Sequence, residues 1–178
     1  MEKNVQLDEL EVALLGFLYN QPKHGYDLYK EISSLSGIGL VWHVKMGHLY
    51  AMLHRLEEKK WVDCTVTQQG NRPQRNQYTI TQSGIRKFDD WQVQPVQRGR
   101  EFRIAFLLKM YFALQRGEQD IDLLIANQKN ACETWLADLD ELTKENPQPD
   151  FYRVVKKFRQ TQIRGYINWL EWCAKNFS

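Results

Sequence analysis

Residues 40–88 concentrate the side chains that could bind a polyanion. This stretch carries eight lysine and arginine residues against three acidic ones, a net charge of +5, whereas residues 1–39 carry three basic and six acidic residues, a net −3. The 178-residue chain as a whole carries only +2. Lysine and arginine neutralise phosphates, which dominate affinity for nucleic acid. A basic loop is more often simply solvated, so the charge indicates a DNA interface only together with the order of the helices and strands in this stretch.

The sequence contains no motif that indicates catalysis or metal binding. The chain lacks the phosphate-binding glycine loops, the zinc-protease pattern H-E-x-x-H, the serine-hydrolase pattern G-x-S-x-G and any C-x-x-C pair. His43, His48, His54 and Cys64 are residue types that bind metals, but their spacing is irregular and no second ligand pair lies nearby. We therefore expect no catalytic activity, no metal and no cofactor.

The first half of the chain has the element order of a winged helix-turn-helix. Apolar periodicity and the Gly and Pro breaks predict three helices, then two β-branched strands around a polar loop, then a fourth helix capped by Thr81. The predicted ranges are helices at about Asp8–Tyr19, Gly25–Leu35 and Met46–Lys60, strands at Trp61–Thr67 and Gln77–Thr81, and a helix at about Gly84–Val93. In that fold the third helix enters the major groove and the hairpin loop touches the DNA backbone or the minor groove.

The second half is predicted to be entirely helical. Pro95 to Gly99 reads as a domain boundary, and helices follow at about Glu101–Gln115, Asp120–Lys144 and from Asp150 onward. The middle helix carries a coiled-coil seam with 4-3 spacing at Ile121, Ile125, Gln128, Cys132, Trp135, Leu139 and Leu142. The predicted fold is mainly α with a small β-hairpin. It comprises a winged helix-turn-helix domain over residues 1–94 and a helical, antiparallel coiled-coil-like dimerisation domain over residues 100–178.

The apolar faces of the last helices exceed what one helical hairpin can bury, so we expect a homodimer. A dimer presents two recognition helices, which predicts a pseudo-palindromic operator with half-sites about one helical turn apart. The residues predicted to form the dimer interface are Ile125, Cys132, Trp135, Leu139, Phe158 and Trp169.

Four segments of the first half together resemble the PadR family of transcriptional regulators. Leu14–Leu18 and His24–Leu28 look like the family's opening, Leu49–Glu57 resembles its recognition helix, and Gly70–Gly84 resembles its wing and the strand that follows. The helical remainder, with its Trp-rich end, resembles the long-tailed, virulence-activator-like branch. The resemblance implies a DNA-binding regulator that acts as a dimer.

The recognition helix departs from the family pattern. Ala51 stands where the family usually has Pro, Lys60 where it often has Gly, and Met46 and His48 replace the usual Pro and small hydroxyl residue. These changes leave the fold intact, but they put the family's base preferences in doubt because they lie at the end of the helix that faces the groove.

The sequence nominates several DNA contacts. The starts of the second and third helices can bind phosphate through free amides, the outward face of the third helix can read base edges, and the wing can touch phosphate. Tyr50 resembles the family's recognition-helix tyrosine, although it could instead pack against the wing, and His48 and Arg55, the expected base readers, could be merely exposed. The predicted contacts are His24, Tyr26, Lys45, Gly47, His48, Tyr50, Arg55, Arg72 and Arg75.

Trp91 has two interpretations. In some members of the family an aromatic residue here lines a pocket for flat aromatic effectors, which would make a small aromatic molecule a partner of this chain. A Trp just before a domain boundary is otherwise an ordinary contact between domains. Because Asp89 and Asp90 flank Trp91 and the boundary is short, we expect no aromatic effector that dissociates the DNA complex.

A second function is compatible with the same residues. A winged helix can bind an acidic protein partner through its basic face without specific DNA binding, and salt-dependent binding to promoter DNA separates the two. We expect a cytoplasmic protein with no membrane partner. Met1–Asn4 lack the features of a signal peptide, the longest apolar run, Val12–Tyr19, is too short to span a bilayer, and three scattered cysteines fit a reducing compartment.

Overall fold

The computed structural model describes residues 2–34, 37–67, 74–141 and 149–177, with side chains from residue 9 onward. Within these ranges the predicted fold class, mainly α with a small antiparallel sheet, is confirmed. The helices are α1 (Glu2–Leu18), α2 (Gly25–Ile32), α3 (Met46–Glu58), α4 (Gln82–Val93), α5 (Ala105–Arg116), α6 (Glu118–Glu141) and α7 (Asp150–Phe177). Short 3-10 helices lie at Ile38–Leu40 and Gly99–Arg103.

The sheet contains one strand more than the predicted hairpin. Its strands are β1 (Lys23–His24), β2 (Val62–Thr67) and β3 (Arg75–Ile80), in the order β1-β3-β2. The predicted break at residues 20–25 is wrong at β1, because Lys23 pairs with Tyr78 and His24 with Gln77. Two residues are too few to leave an alternating pattern in the sequence, so only the pairing with β3 reveals this strand.

Helix ends follow local chemistry. Thr81 caps α4 as predicted, because its hydroxyl oxygen accepts a hydrogen bond from the Gly84 amide at 3.1 Å. At the end of α3, Lys60 has a φ of 57°. The Lys60 amide donates to Glu57 and the Trp61 amide to Leu56, which is the Schellman arrangement that usually uses glycine. The chain makes this turn with lysine instead.

The predicted helix at Glu101–Gln115 is wrong in its first turn. The backbone of Ile104, with φ −129° and ψ −63°, separates the 3-10 helix Gly99–Arg103 from α5. The Glu101 carboxylate explains the break, because it accepts hydrogen bonds from the backbone amides of Gln97 and Arg98 at 2.9 and 3.0 Å and so caps its own short helix. Gly117 ends α5 at a φ of 114°, which favours glycine.

Two hydrophobic clusters share α5. The first lies among α1 to α4 and the sheet and includes Leu108 and Phe112 from α5, and Phe112 packs edge-on against Phe17 and Phe88. The second lies among α5, α6 and α7 and includes Val96 from the connecting segment. The division into domains at residues 95–99 stays a prediction, and α5 is the helix that packs on both sides of it.

Helices α6 and α7 run antiparallel. Lys129 near the middle of α6 pairs with Glu171 near the end of α7 at 2.6 Å, whereas Asp140 near the end of α6 pairs with Lys156 near the start of α7 at 3.1 Å. Among the described residues, no helix is both long and apolar enough to cross a membrane.

Candidate nucleic-acid interface

Helix α3 buries one face and exposes the opposite one. Leu49, Met52, Leu53 and Leu56 are buried in the first cluster, which fixes the orientation of the helix. The residues at three- and four-residue spacing on the far side are exposed and form a line along the helix, which we call the recognition face. The recognition face consists of Gly47, Ala51, His54 and Glu58.

Arg55 does not belong to the recognition face. Its guanidinium Nε donates to Glu11 Oε1, and Lys59 Nζ donates to Glu11 Oε2 at 2.9 Å. Glu11 lies on α1 and is buried. A buried carboxylate needs such cations, so Arg55 and Lys59 join α3 to α1. The prediction that Arg55 points outward to read bases is therefore not supported by its contacts.

His54 is a residue that the sequence interpretation missed. Its side chain is 71% exposed, and its Nε2 lies 4.0 Å from Glu58 Oε1 one turn further along the helix. The signal was present, because the buried leucines set the inner face and His54 falls opposite them at helical spacing. The sequence interpretation placed Arg55 on the outer face instead and did not identify Glu11 as its partner.

The N-terminal end of α3 is open to solvent. Lys45 precedes the first turn in an extended conformation, and Lys45, Gly47 and His48 are all exposed. Nothing lies within 4 Å of a side chain built at Gly47. The first turn of α3 is therefore open, and phosphate binding by its free amides stays a prediction.

Tyr50 packs against the start of α2. A Cβ atom on Gly25 would lie 2.6 Å from Tyr50 Cε1, so glycine is required for the ring to reach this position. The neighbouring His24 Nδ1 lies 3.3 Å from the carbonyl oxygen of Asn76 in the wing strand. Tyr50 thus touches α2 and keeps an exposed edge. The two roles that the sequence left open, a contact with phosphate and packing against the wing, stay predictions.

A cavity of about 360 Å³ opens between α2, α3 and the wing. Tyr26 and Arg75, both exposed, line it together with His24, Tyr50 and Asn76. The Lys30 ammonium lies 4.7 Å above the Tyr26 ring. Hydroxyl, imidazole and guanidinium donors thus face one small space, which is the chemistry that a DNA phosphate requires.

The wing contributes one described cation. Arg75 begins β3 opposite Thr67, whose hydroxyl donates to the Arg75 carbonyl at 3.2 Å. This contact uses the backbone of Arg75 and leaves its side chain exposed. Arg72, the other predicted wing contact, lies outside the described residues.

Comparison with known families separates the chain into two matched parts. The model of the PadR-like family of transcriptional regulators matches residues 14–90, and the model of the virulence activator α C-terminal region matches residues 102–178. The first half of the chain is thus similar to the PadR-like family, over 77 of the chain's 178 residues. The first match spans the recognition face, the α2 start and the wing strands, and the second spans α5 to α7.

The chain is also similar to proteins of known sequence and structure. The negative transcriptional regulator PadR of Bacillus subtilis is 27% identical over 91% of this chain and 93% of its own length. A probable transcriptional regulator of Mycobacterium tuberculosis is 30% identical over 51% of this chain and 47% of its own length. The structure of B. subtilis PadR with operator DNA is 25% identical with a TM-score of 0.48, covering 93% of this chain and 97% of that one. Its complex with p-coumaric acid is 23% identical with a TM-score of 0.41 and covers 94% of both chains.

In this PadR-like chain Trp91 belongs to a buried polar group, here called the junction cluster: Glu9, Trp91, Gln92, Glu101 and Lys109. Lys109 Nζ donates to the Trp91 carbonyl and lies 4.1 Å from the centre of the indole ring. The Gln92 amide donates to the Lys109 carbonyl at 2.7 Å. Burial lowers the pKa of Lys109 to about 7, against the opposing pull of Glu9 and Glu101. Burial also raises the pKa of Glu9.

The predicted dimer-interface residues occupy different environments in this PadR-like chain. Ile125 and Cys132 are buried in the second cluster of their own chain, so the structure corrects their assignment to a partner surface. Gln128, another member of the predicted seam, bonds the backbone of Val96 instead of facing a second helix. Among the other predicted residues, Trp135, Leu139 and Trp169 are half-buried and Phe158 is exposed.

Proposed function

We propose that this chain is a sequence-specific DNA-binding transcriptional regulator that binds a pseudo-palindromic operator as a homodimer. The observation that carries the proposal is the recognition face of α3, which is held outward by the buried leucines and flanked by donors from α2 and the wing. Major-groove reading by an exposed helix, with phosphate contacts on both sides, is how winged helices bind DNA. Because its partner is chromosomal DNA, we place its action in the cytoplasm, and we propose no catalytic activity.

Selection from random double-stranded DNA with the full chain tests the specific binding. We expect a two-fold symmetric sequence to be enriched and its affinity to fall steeply as salt is raised. Enrichment of no sequence, with capture only by acidic proteins, would favour the protein-interaction module over the regulator.

The exposed side of α7 supports the dimer. Phe151, Phe158 and Trp172 are 79%, 61% and 54% exposed, and together with Val154 they form an apolar stripe at helical spacing. The stripe lies opposite the buried residues Ile163 and Leu170 that pack within the chain. Exposed apolar residues one turn apart, as at Phe151, Val154 and Phe158, mark an interaction site, and a second copy is the partner that two symmetric half-sites require.

Sedimentation at micromolar concentration measures the assembly directly. We expect twice the chain mass for the unchanged protein and a monomer for Phe158→Glu, because a carboxylate would be buried in the apolar interface. Lys157→Glu is the matched control on the same helix but outside the stripe, and it keeps the dimer. A monomer that binds its operator with full affinity contradicts the proposal.

We propose that Trp91 has a structural role and does not contact an effector. B. subtilis PadR binds p-coumaric acid. In the present chain the Trp91 ring is covered by Lys109 on one face and lies 5.8 Å from Phe88. Titration with p-coumaric acid, followed by Trp fluorescence and operator binding, is expected to leave operator affinity unchanged. A saturable quench that is lost in Trp91→Phe and shifts affinity fivefold or more, at the low end of typical allosteric coupling, contradicts this role.

A further inference from the structure

The recognition face carries no lysine or arginine. Arg55 of α3 and Lys59, the residue that directly follows this helix, both bond to Glu11. The residues that remain exposed along the outer line are Gly47, Ala51, His54 and Glu58. The commonest base contact in protein–DNA complexes, arginine or lysine to guanine, is therefore missing from the centre of this helix.

Ala51 and His54 lie one turn apart on this line. Ala51 is exposed, and its side chain is a single methyl group. It lies in the second turn of α3, where the recognition helix of this fold approaches base edges. In the major groove the apolar partner of a methyl group is the C5 methyl of thymine. The next position on the same line, His54, offers imidazole nitrogens, and one of them is a donor in either neutral tautomer.

Glu58 lies one turn beyond His54 on the recognition face. Its Oε1 lies 4.0 Å from His54 Nε2, with both side chains largely exposed. An imidazole N–H of His54 can donate a hydrogen bond to N7 of a purine, which is an acceptor in both adenine and guanine. Glu58 lies in the last turn of α3, at the end of the recognition face.

We propose that Ala51 and His54 determine the base preference of this regulator: the Ala51 methyl packs against a thymine methyl, and the His54 imidazole donates to N7 of a neighbouring purine. Arg55, in contrast, fixes α3 to α1 through Glu11. The inference rests on the proposed function, since it assigns the residues through which the same interface reads sequence.

Modified bases test the two contacts one at a time. In the site selected with the full chain, each thymine is replaced by uracil, which lacks the C5 methyl, and each purine by its 7-deaza analogue, which lacks N7. We expect one thymine per half-site at which uracil weakens binding about fourfold, the value of one buried methyl group. We expect one adjacent purine at which the 7-deaza analogue weakens binding at least fivefold.

Variants connect each base to its residue. In Ala51→Gly the uracil effect falls below twofold, and in His54→Ala the 7-deaza effect disappears, while thermal unfolding confirms that both variants are folded. Arg55→Met is the matched control on the same helix, and it selects the same sequence as the unchanged chain. Undiminished modified-base effects in Ala51→Gly and His54→Ala, or a different selected sequence for Arg55→Met, overturn the inference.

The test also separates the inference from the proposed function. If the full chain enriches no sequence, the regulator itself is contradicted. If it enriches a sequence whose thymines and purines all tolerate modification, the regulator stands and the assignment to Ala51 and His54 fails.

Discussion

The recognition face and the junction cluster use polar side chains in opposite ways. On the recognition face His54 is exposed to solvent and open to a ligand. In the junction cluster Lys109 is 1% exposed and bonds the end of α4 while facing Glu9 on α1 and Glu101 in the 3-10 turn. The difference shows that a charge in the sequence indicates DNA binding only where the fold leaves it exposed, and that buried charge instead fixes helices to one another.

The largest expected effect concerns the pH dependence of stability. The pKa of Lys109 falls from 10.5 to about 7 on folding, so between these values the unfolded chain binds a proton that the folded chain lacks. The free energy of unfolding therefore rises with pH from about 7 to 10.5, and below about 7 Lys109 adds no further pH dependence because both states hold the proton. We expect about 1 kcal/mol per pH unit from this group.

Urea unfolding from pH 7.5 to 9.5 measures this contribution. The free energy of unfolding of the unchanged chain is expected to rise relative to that of Lys109→Met, which has no proton to lose. His54→Ala, a change on the exposed recognition face, is expected to keep the pH dependence of the unchanged chain. If the free energy of unfolding had the same pH dependence in the unchanged chain and in Lys109→Met, burial of Lys109 would not have lowered its pKa.

Glu11 gives an effect of similar size, because it is a buried charge that holds Arg55 of α3 and Lys59 at the end of this helix. Glu11→Gln is expected to lower the free energy of unfolding by about 2 kcal/mol, the scale of hydrogen bonds to a charged group. Glu58→Gln, which removes an exposed carboxylate from the same region, is expected to change it by less than about 0.5 kcal/mol. Equal losses in the two variants would show that burial does not distinguish these carboxylates.

Arg75 gives the smallest of the three effects. If its exposed side chain contacts phosphate, Arg75→Ala weakens binding to all DNA sequences alike and reduces the slope of log affinity against log salt by about 1. Arg153→Ala, an equally exposed change on α7, leaves the slope unchanged. A changed sequence preference in Arg75→Ala would place this residue among the base readers instead.

Much of the DNA-binding half could be predicted because its signals are local. The apolar spacing of Leu49, Leu53 and Leu56 fixed the inner face of α3, and Thr81 marked the start of α4 through a single hydrogen bond. The two-residue strand β1 and the 3-10 turn at Gly99–Arg103 escaped prediction because each depends on a partner, β3 in one case and the Glu101 carboxylate in the other.

The contacts of Arg55, Ile125 and Cys132 differ from the expected ones for the same physical reason. Arg55 was expected in the groove, yet its partner Glu11 lies 44 residues away on α1. Ile125 and Cys132 were expected at a dimer interface, and the heptad spacing that suggested this was correct as a burial pattern. Spacing shows that a helix face is buried, but it does not distinguish a helix of the same chain from one of a second copy.

Site selection by the full chain, followed by footprinting on the selected sequence at physiological salt, tests whether a dimer reads the operator through His54 and not through Arg55. The account predicts a two-fold symmetric footprint whose sequence preference changes in His54→Ala and is retained in Arg55→Met. An asymmetric footprint, or a preference that depends on Arg55 and not on His54, would contradict it.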